Sequence, residues 1–352
     1  MERTVDVKRK FAKIRAIRLY VLVGLFVLTV VAVLVSLLVG QSNLTAKEAL
    51  SAFFGLGSDK ARRIVWYVRM PRIVAAVLVG FGLAISGQVM QTTLRNPLAS
   101  PSTLGVSNAA VFGANLAIVL GAGAFGGAGS TVLNINDPYV VTLSAFAFSY
   151  LSVLFIVFIA RFRKFSPAVV VLLGVAFGAL FTALTTFIQY LASDQVLSAA
   201  VYWSFGDLSR ASYLKIAFVA ACVAPSFIVF FFLGWKYNAL SAGEDTARSL
   251  GVRIDLLRLT TLLLASLITA VCVSFFGVIG FIGVVCPQLM KRFVGSDSRI
   301  LLPSAGLAGS FLLVVSDTVS RVIVPGLNVP VGAVTAVLGA PVFLYVLLRR
   351  ER

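Results

Sequence analysis

The chain has 352 residues, is 59% hydrophobic and only 12% charged, and carries 30 Lys and Arg against 13 Asp and Glu, with no histidine. That composition belongs to a polytopic helical membrane protein and excludes a soluble domain. The net charge of +17 does not indicate nucleic acid, because the cations fall in short runs between apolar segments, and the missing histidine removes imidazole chemistry and imidazole metal ligation.

Seven basic residues precede or open the first apolar segment, 18–40. This segment is long enough to span and lacks a small-residue cleavage site, so it reads as a retained helix behind a basic cytoplasmic N-terminus, 1–17. Apolar segments follow at 64–92, 103–121, 138–161, 167–191, 212–234, 258–282, 284–294, 299–324 and 331–349. The chain is expected to form a single all-α transmembrane domain, 1–352, of about ten helices. The segment at 284–294 is too short to cross, and Pro287 predicts a broken or tilted helix there. With the N-terminus inside, most cations fall on the cytoplasmic side, including Arg95, the run at 161–164, the loop 236–258 and the arginines at 349, 350 and 352. The expectation is a multi-pass protein with both termini in the cytoplasm.

Lys60, Arg62, Arg63, Arg69 and Arg72 break that pattern by crowding the outer start of the second segment. An electropositive rim for an acidic partner and snorkelling to lipid phosphates both explain them. Gly80 and Ala84, Gly174 and Gly178, and the run Gly277, Gly280 and Gly283 are spaced for close helix packing. Asn96-Pro97-Leu98-Ala99-Ser100-Pro101 predicts a turn, with Ser102 or Thr103 capping the next helix.

The longest polar interruption of the second half is 236–258. Ser241-Ala242-Gly243-Glu244 fits a capping box, Glu244 and Asp245 suit a helix's first turn, and Gly251 suits a left-handed stop. The stretch reads as a short surface helix that offers a docking face, with an ordinary ordered loop as the alternative. Asp317 lies inside a span with Arg321 four residues on, which predicts an internal ion pair near the outer end and leaves the outward reach of Arg321 open. Cys222, Cys272 and Cys286 fall in apolar segments and indicate neither a disulfide framework nor a zinc site. The chain has no P-loop motif and no series of intramembrane acids, so uphill movement would draw on another subunit.

Three blocks resemble the FecCD-type permeases, the membrane subunits of ABC importers for ferric siderophores, haem and cobalamin. They are RMPRIVAAVLVGFGLAISGQVMQTTLRNPLASPSTLGVSNAA at 69–110, LSAGEDTARSLGV at 240–252, and GVIGFIGVVCPQLMKRFVGSDSRILLP at 277–303 with SDTVSR and PVGAVTAVLGAPVFLYVLL beyond it. The resemblance implies ten helices and a second permease subunit, identical or paralogous, in the lipid bilayer of a bacterial cytoplasmic membrane. It also implies two cytoplasmic ATPase subunits holding ATP and Mg, an extracytoplasmic substrate-binding protein, and neither a cofactor nor a metal on this chain. Ser241, Gly243, Glu244, Asp245, Arg248, Ser249, Leu250 and Gly251 would form the helix that couples to the ATPase. Arg69, Arg72 and Arg321 would dock the binding protein. Gln88, Gln91, Asn108 and Asn115 are polar residues that could face the pathway. Where members commonly have Pro-His, this chain has Pro287-Gln288. A ferric siderophore is the expected cargo, with haem or cobalamin as alternatives. A stand-alone secondary transporter or channel, and a non-transporting scaffold, are the rival classes.

Overall fold

The computed structural model describes residues 2–40, 44–121, 138–324 and 326–348, with side chains except at 2–15, 138, 346 and 347. The cations expected at 349–352, and all of those before residue 16, therefore lie outside the described side chains.

The chain begins with α1 (Glu2–Leu38). Beyond the C-terminal end of α1, Thr45 caps α2 (Ala46–Phe53): its hydroxyl accepts the Glu48 amide at 3.3 Å, and the Glu48 carboxylate accepts the Thr45 amide at 2.8 Å. This reciprocal box satisfies two N-terminal donors that a helix cannot pair internally. Thr45→Ala is expected to speed hydrogen exchange across 46–53 about fivefold, the cost of one lost cap. Exchange unchanged from wild type would show that packing alone holds α2.

After α3 (Asp59–Arg63) the helix widens through a six-residue π segment, Ile64–Arg69, and continues as α4 (Met70–Thr93), giving one apolar span over Asp59–Thr93. A turn leads to α5 (Val106–Gly121). In that turn the Ser100 hydroxyl accepts the Thr103 amide while Thr103 Oγ1 accepts the Ser100 amide, so Thr103 closes the turn with Ser100 and does not cap α5 as expected. Next come α6 (Pro138–Phe162), α7 (Pro167–Tyr190), α8 (Asp194–Ser204) and α9 (Tyr213–Phe232). The polar loop holds α10 (Gly234–Ala242) and α11 (Glu244–Ser249). The chain closes with α12 (Ile254–Phe276), α13 (Ile282–Val294), α14 (Ser298–Val322) and α15 (Val331–Leu348).

Among the described residues seven helices are long and apolar enough to cross a membrane, and α5, α13 and α15 are shorter. These account for the ten expected segments. Of the apolar window of α4, 78% is buried, against 17% for α1, so α4 is central and α1 peripheral. α12 and α14 pack on α4, and the outer helices α6, α7 and α9 leave most of their apolar windows uncovered.

The α4–α14 seam is set by glycine. A Cβ on Gly80 would strike the Gly309 backbone, and one on Gly309 would strike the Gly80 carbonyl. Lower down, a Cβ on Gly87 would strike the Gly283 carbonyl of α13. Contacts between backbones are the means by which helices associate where burial in lipid gives no hydrophobic gain. Gly174 and Gly178 serve likewise, lying against Leu104 and Asn108.

α13 is a half-length helix. Its 13 residues reach only about 20 Å, too short for the hydrocarbon core. The break precedes it: Gly277 and Phe281 both adopt left-handed backbone, at φ 75° and 67°, whereas Pro287, expected to break the helix, sits inside it. Non-helical backbone at this depth survives because protein covers and pairs it. The Asp207 amide donates to the Phe276 carbonyl at 2.8 Å, Val278 to Ser204 at 3.3 Å, and Val331 to Gly206 at 2.8 Å.

Candidate functional site

α10 and α11 form a bent helical pair around Gly243, whose φ of 134° suits glycine. Ser241 is still helical, and its hydroxyl donates back to the Tyr237 carbonyl at 3.0 Å. The expected Ser241–Glu244 capping box is therefore not formed, because the helix breaks between its two members. Glu244 instead accepts from Arg258 Nη2 at 2.5 Å, with Arg248 at 3.9 Å. The Arg258 side chain is 3% exposed, so Glu244 neutralises a buried cation at the start of α12 and ties α11 to it. Sequence reasoning missed this partner. The available signal was an arginine opening an apolar segment 14 residues after Glu244.

The stop at Gly251 forms as expected, at φ 78°. Gly251 N–H donates to the Arg248 carbonyl and Val252 N–H to that of Ala247, the paired bonds of a Schellman ending. Ala247 and Val252 are buried anchors, while Asp245, Thr246, Arg248, Ser249 and Leu250 face outward. Leu250 is 60% exposed. This six-residue helix is held at both ends and leaves an uncovered leucine and both charge signs on its free face.

At the other end of the bundle lies a buried ion cluster. Arg72 Nε reaches Asp317 Oδ1 at 2.6 Å and Arg321 Nε reaches Asp317 Oδ2 at 3.2 Å. Arg321 Nη2 donates to Ser36 Oγ at 2.5 Å, Arg72 Nη2 to Ser320 Oγ at 3.4 Å, and Arg69 Nη1 to the Leu37 carbonyl at 2.6 Å. The internal Asp317–Arg321 pair was legible from spacing; Arg72, 245 residues away from Asp317, was not. Arg69, Arg72 and Arg321 are 4–6% exposed, so they do not form the open rim expected of docking residues. They clamp α1, α4 and α14 together. Lys60, Arg62 and Arg63 are the exposed cations of that stretch, and Arg62 pairs with Asp59.

The four polar candidates for a pathway do not form one site. Gln88 and Gln91 lie near the α10–α11 end, where Gln91 donates to the Gly283 carbonyl at 3.1 Å and accepts from Gln288 at 2.7 Å. Gln288, the departure from the family's Pro-His, thus bridges α13 to α4. Asn108 donates to the Gly178 carbonyl at 3.1 Å and to Thr182 Oγ1 at 3.2 Å, in a groove of about 570 Å³ between α5 and α7. Asn115 is fully buried, donating to the Val111 carbonyl and accepting from Gln189.

This architecture has known counterparts. Residues 28–349 match the model of the FecCD transport family. A protein of Methanocaldococcus jannaschii named as an ABC transporter permease is 47% identical over 315 residues, covering 89% of this chain and 90% of its own. The vitamin B12 import system permease protein of Salmonella typhi is 35% identical over 335 residues, covering 94% and 95%. Among solved structures, an inward-facing metal-chelate type ABC transporter superposes with a TM-score of 0.80 at 29% identity, over 93% of this chain and 98% of that one. A helical bundle built on one glycine seam, a helical polar loop and a family match over nearly its whole length make the chain a polytopic membrane permease of the FecCD transport family.

Proposed function

We propose that this chain is the pathway-forming subunit of an ATP-driven importer whose cargo is a ferric siderophore, with haem and cobalamin as the alternatives. The observation that carries the reading is the α10–α11 element: a short helix fixed by Glu244–Arg258 and a glycine stop, with a free face ready for a partner. Relatives that import vitamin B12 or move metal chelates support a chelated metal as cargo.

The chain carries no P-loop, so ATP and Mg belong to two separate ATPase subunits and this subunit is not itself an enzyme. A second permease subunit, identical or paralogous, completes the pathway, and an extracytoplasmic binding protein delivers the cargo. Both termini and the α10–α11 element lie in the cytoplasm, as the distribution of cations requires. In docking, the exposed Lys60, Arg62 and Arg63 meet the binding protein first. Arg69, Arg72 and Arg321 join only if a partner's carboxylates draw them from the carbonyls and Asp317 that now hold them.

The test reverses charge on the free face. Asp245→Lys with Arg248→Glu in the reconstituted complex should reduce uptake at least about tenfold while the unfolding midpoint stays put, since both side chains are exposed. Wild-type uptake by this variant refutes the coupling role. Glu244 is unsuitable for the test, because its reversal strands the buried Arg258 and unsettles the fold.

A further inference from the structure

An open cavity of about 300 Å³ lies inside one chain beside the coupling element, walled by α4, α10, α13 and the start of α14. Gln88, Gln91 and Gln288 line it deeper in, Thr92 stands above them, and the exposed Arg95 and Lys291 stand at the rim. No carboxylate lines it. The cavity thus combines cations and amides with nothing to neutralise the cations.

One feature marks it as built. Gln88 is 1% exposed, yet its Oε1 has no partner while its Nε2 donates to Thr92 Oγ1 at 3.2 Å. A half-turn of that amide lets Oε1 accept from the Thr92 hydroxyl and leaves the NH₂ group as an unpaired donor in the cavity wall. Arg95 stands in left-handed backbone, φ 48°, as the Schellman stop of α4: its N–H donates to the Thr92 carbonyl and that of Asn96 to the Gln91 carbonyl, and this stop sets Arg95 in the cavity lining.

We propose that this cavity binds a small multivalent oxyanion, a carboxylate or phosphate, with its oxygens on the Arg95 and Lys291 cations and its inner edge on the Gln88 amide. Charge-assisted donors converging on one concave surface are the chemistry that selects such groups. The importer reading adds a role: a carboxylate-bearing chelate released on this side would rebind here. The Gln91–Gln288 bridge and Ser241 share the wall, so occupancy would brace α4 against α13 next to α10–α11.

The binding test needs no transport, so its outcome stands apart from the importer reading. Citrate and inorganic phosphate are titrated calorimetrically into the full chain in nanodiscs of uncharged lipid, which removes lipid phosphates carrying net negative charge as competitors. Wild type should bind at least one of the two saturably. Citrate alone points to a carboxylate-bearing chelate as the source, and phosphate at equal strength to free phosphate. Arg95→Gln with Lys291→Gln should weaken binding about tenfold or more, and Arg95→Lys with Lys291→Arg should restore most of it. Gln88→Leu should weaken binding severalfold at constant charge, which separates a shaped site from general attraction. Saturable binding of neither probe overturns the proposal. So does binding that both the Gln88→Leu and the double glutamine variants leave unchanged while their unfolding midpoints match wild type.

Discussion

Asp317→Ala is expected to destabilise the chain by about 3–5 kcal/mol, the cost of breaking a buried ion pair by removing one partner. Asp317 is 0% exposed and stands between Arg72 on α4 and Arg321 on its own helix. Without it, two guanidiniums 6% exposed are left in an apolar bundle with neutral acceptors alone among the described residues: the Ser36, Ser320 and Thr318 hydroxyls, the Asn328 amide oxygen and backbone carbonyls. At 6% exposure little water reaches them, and the two cations also repel each other. Asp317→Leu combined with Arg72→Met and Arg321→Met should recover most of the loss, because removing all three charges removes the desolvation cost as well. Unfolding of the purified chain in mild detergent measures both variants. An Asp317→Ala chain as stable as wild type would mean that the arginines find water or lipid phosphate instead, and that the cluster does not clamp α1, α4 and α14.

The second large effect is expected at the glycine seam. Gly80→Val places its Cβ into the Gly309 backbone and leaves the two further methyls no room. Overpacking against side chains costs about 1–3 kcal/mol. Here the obstacle is main chain on both sides, so α4 and α14 must separate, and the outcome expected is the upper end of that range or loss of the folded chain. Gly309→Val should behave the same way from the opposite face. Gly24→Val is the control, since nothing lies within 4 Å of its added Cβ. The yield of monodisperse protein and the unfolding midpoint read all three. A Gly80→Val chain matching the Gly24→Val chain in both would refute the seam as the determinant of packing.

These effects differ in how far the linear chain discloses them. Composition and the length of each apolar run fix the helical class and the ten segments, because a hydrocarbon layer admits only self-bonded helices of sufficient length, or closed barrels. Gly251 was readable as a stop because a left-handed position and glycine coincide locally. The pairing of Asp317 with Arg321 was readable too, since four residues is one helical turn. Even the shortness of the segment at 284–294 was visible.

What the chain alone could not supply is direction and distant partnership. Arg72 meets Asp317 across 245 residues, so a cluster that spacing offered as an outward rim turns inward to clamp three helices. Ser241 and Glu244 carry the letters of a capping box, but the helix breaks between them and Glu244 pairs with a buried arginine on α12. The break assigned to Pro287 moves to 277–281, where loops from elsewhere in the chain pair the freed backbone. Gln88 and Gln91 part from Asn108 and Asn115 because α4 and α5 turn those faces to different neighbours. Local hydrogen bonding and apolar length are properties of a segment, and the sequence determines them by itself. The environment of a charge or an amide is a property of whichever helices pack against it, and only the tertiary structure decides that.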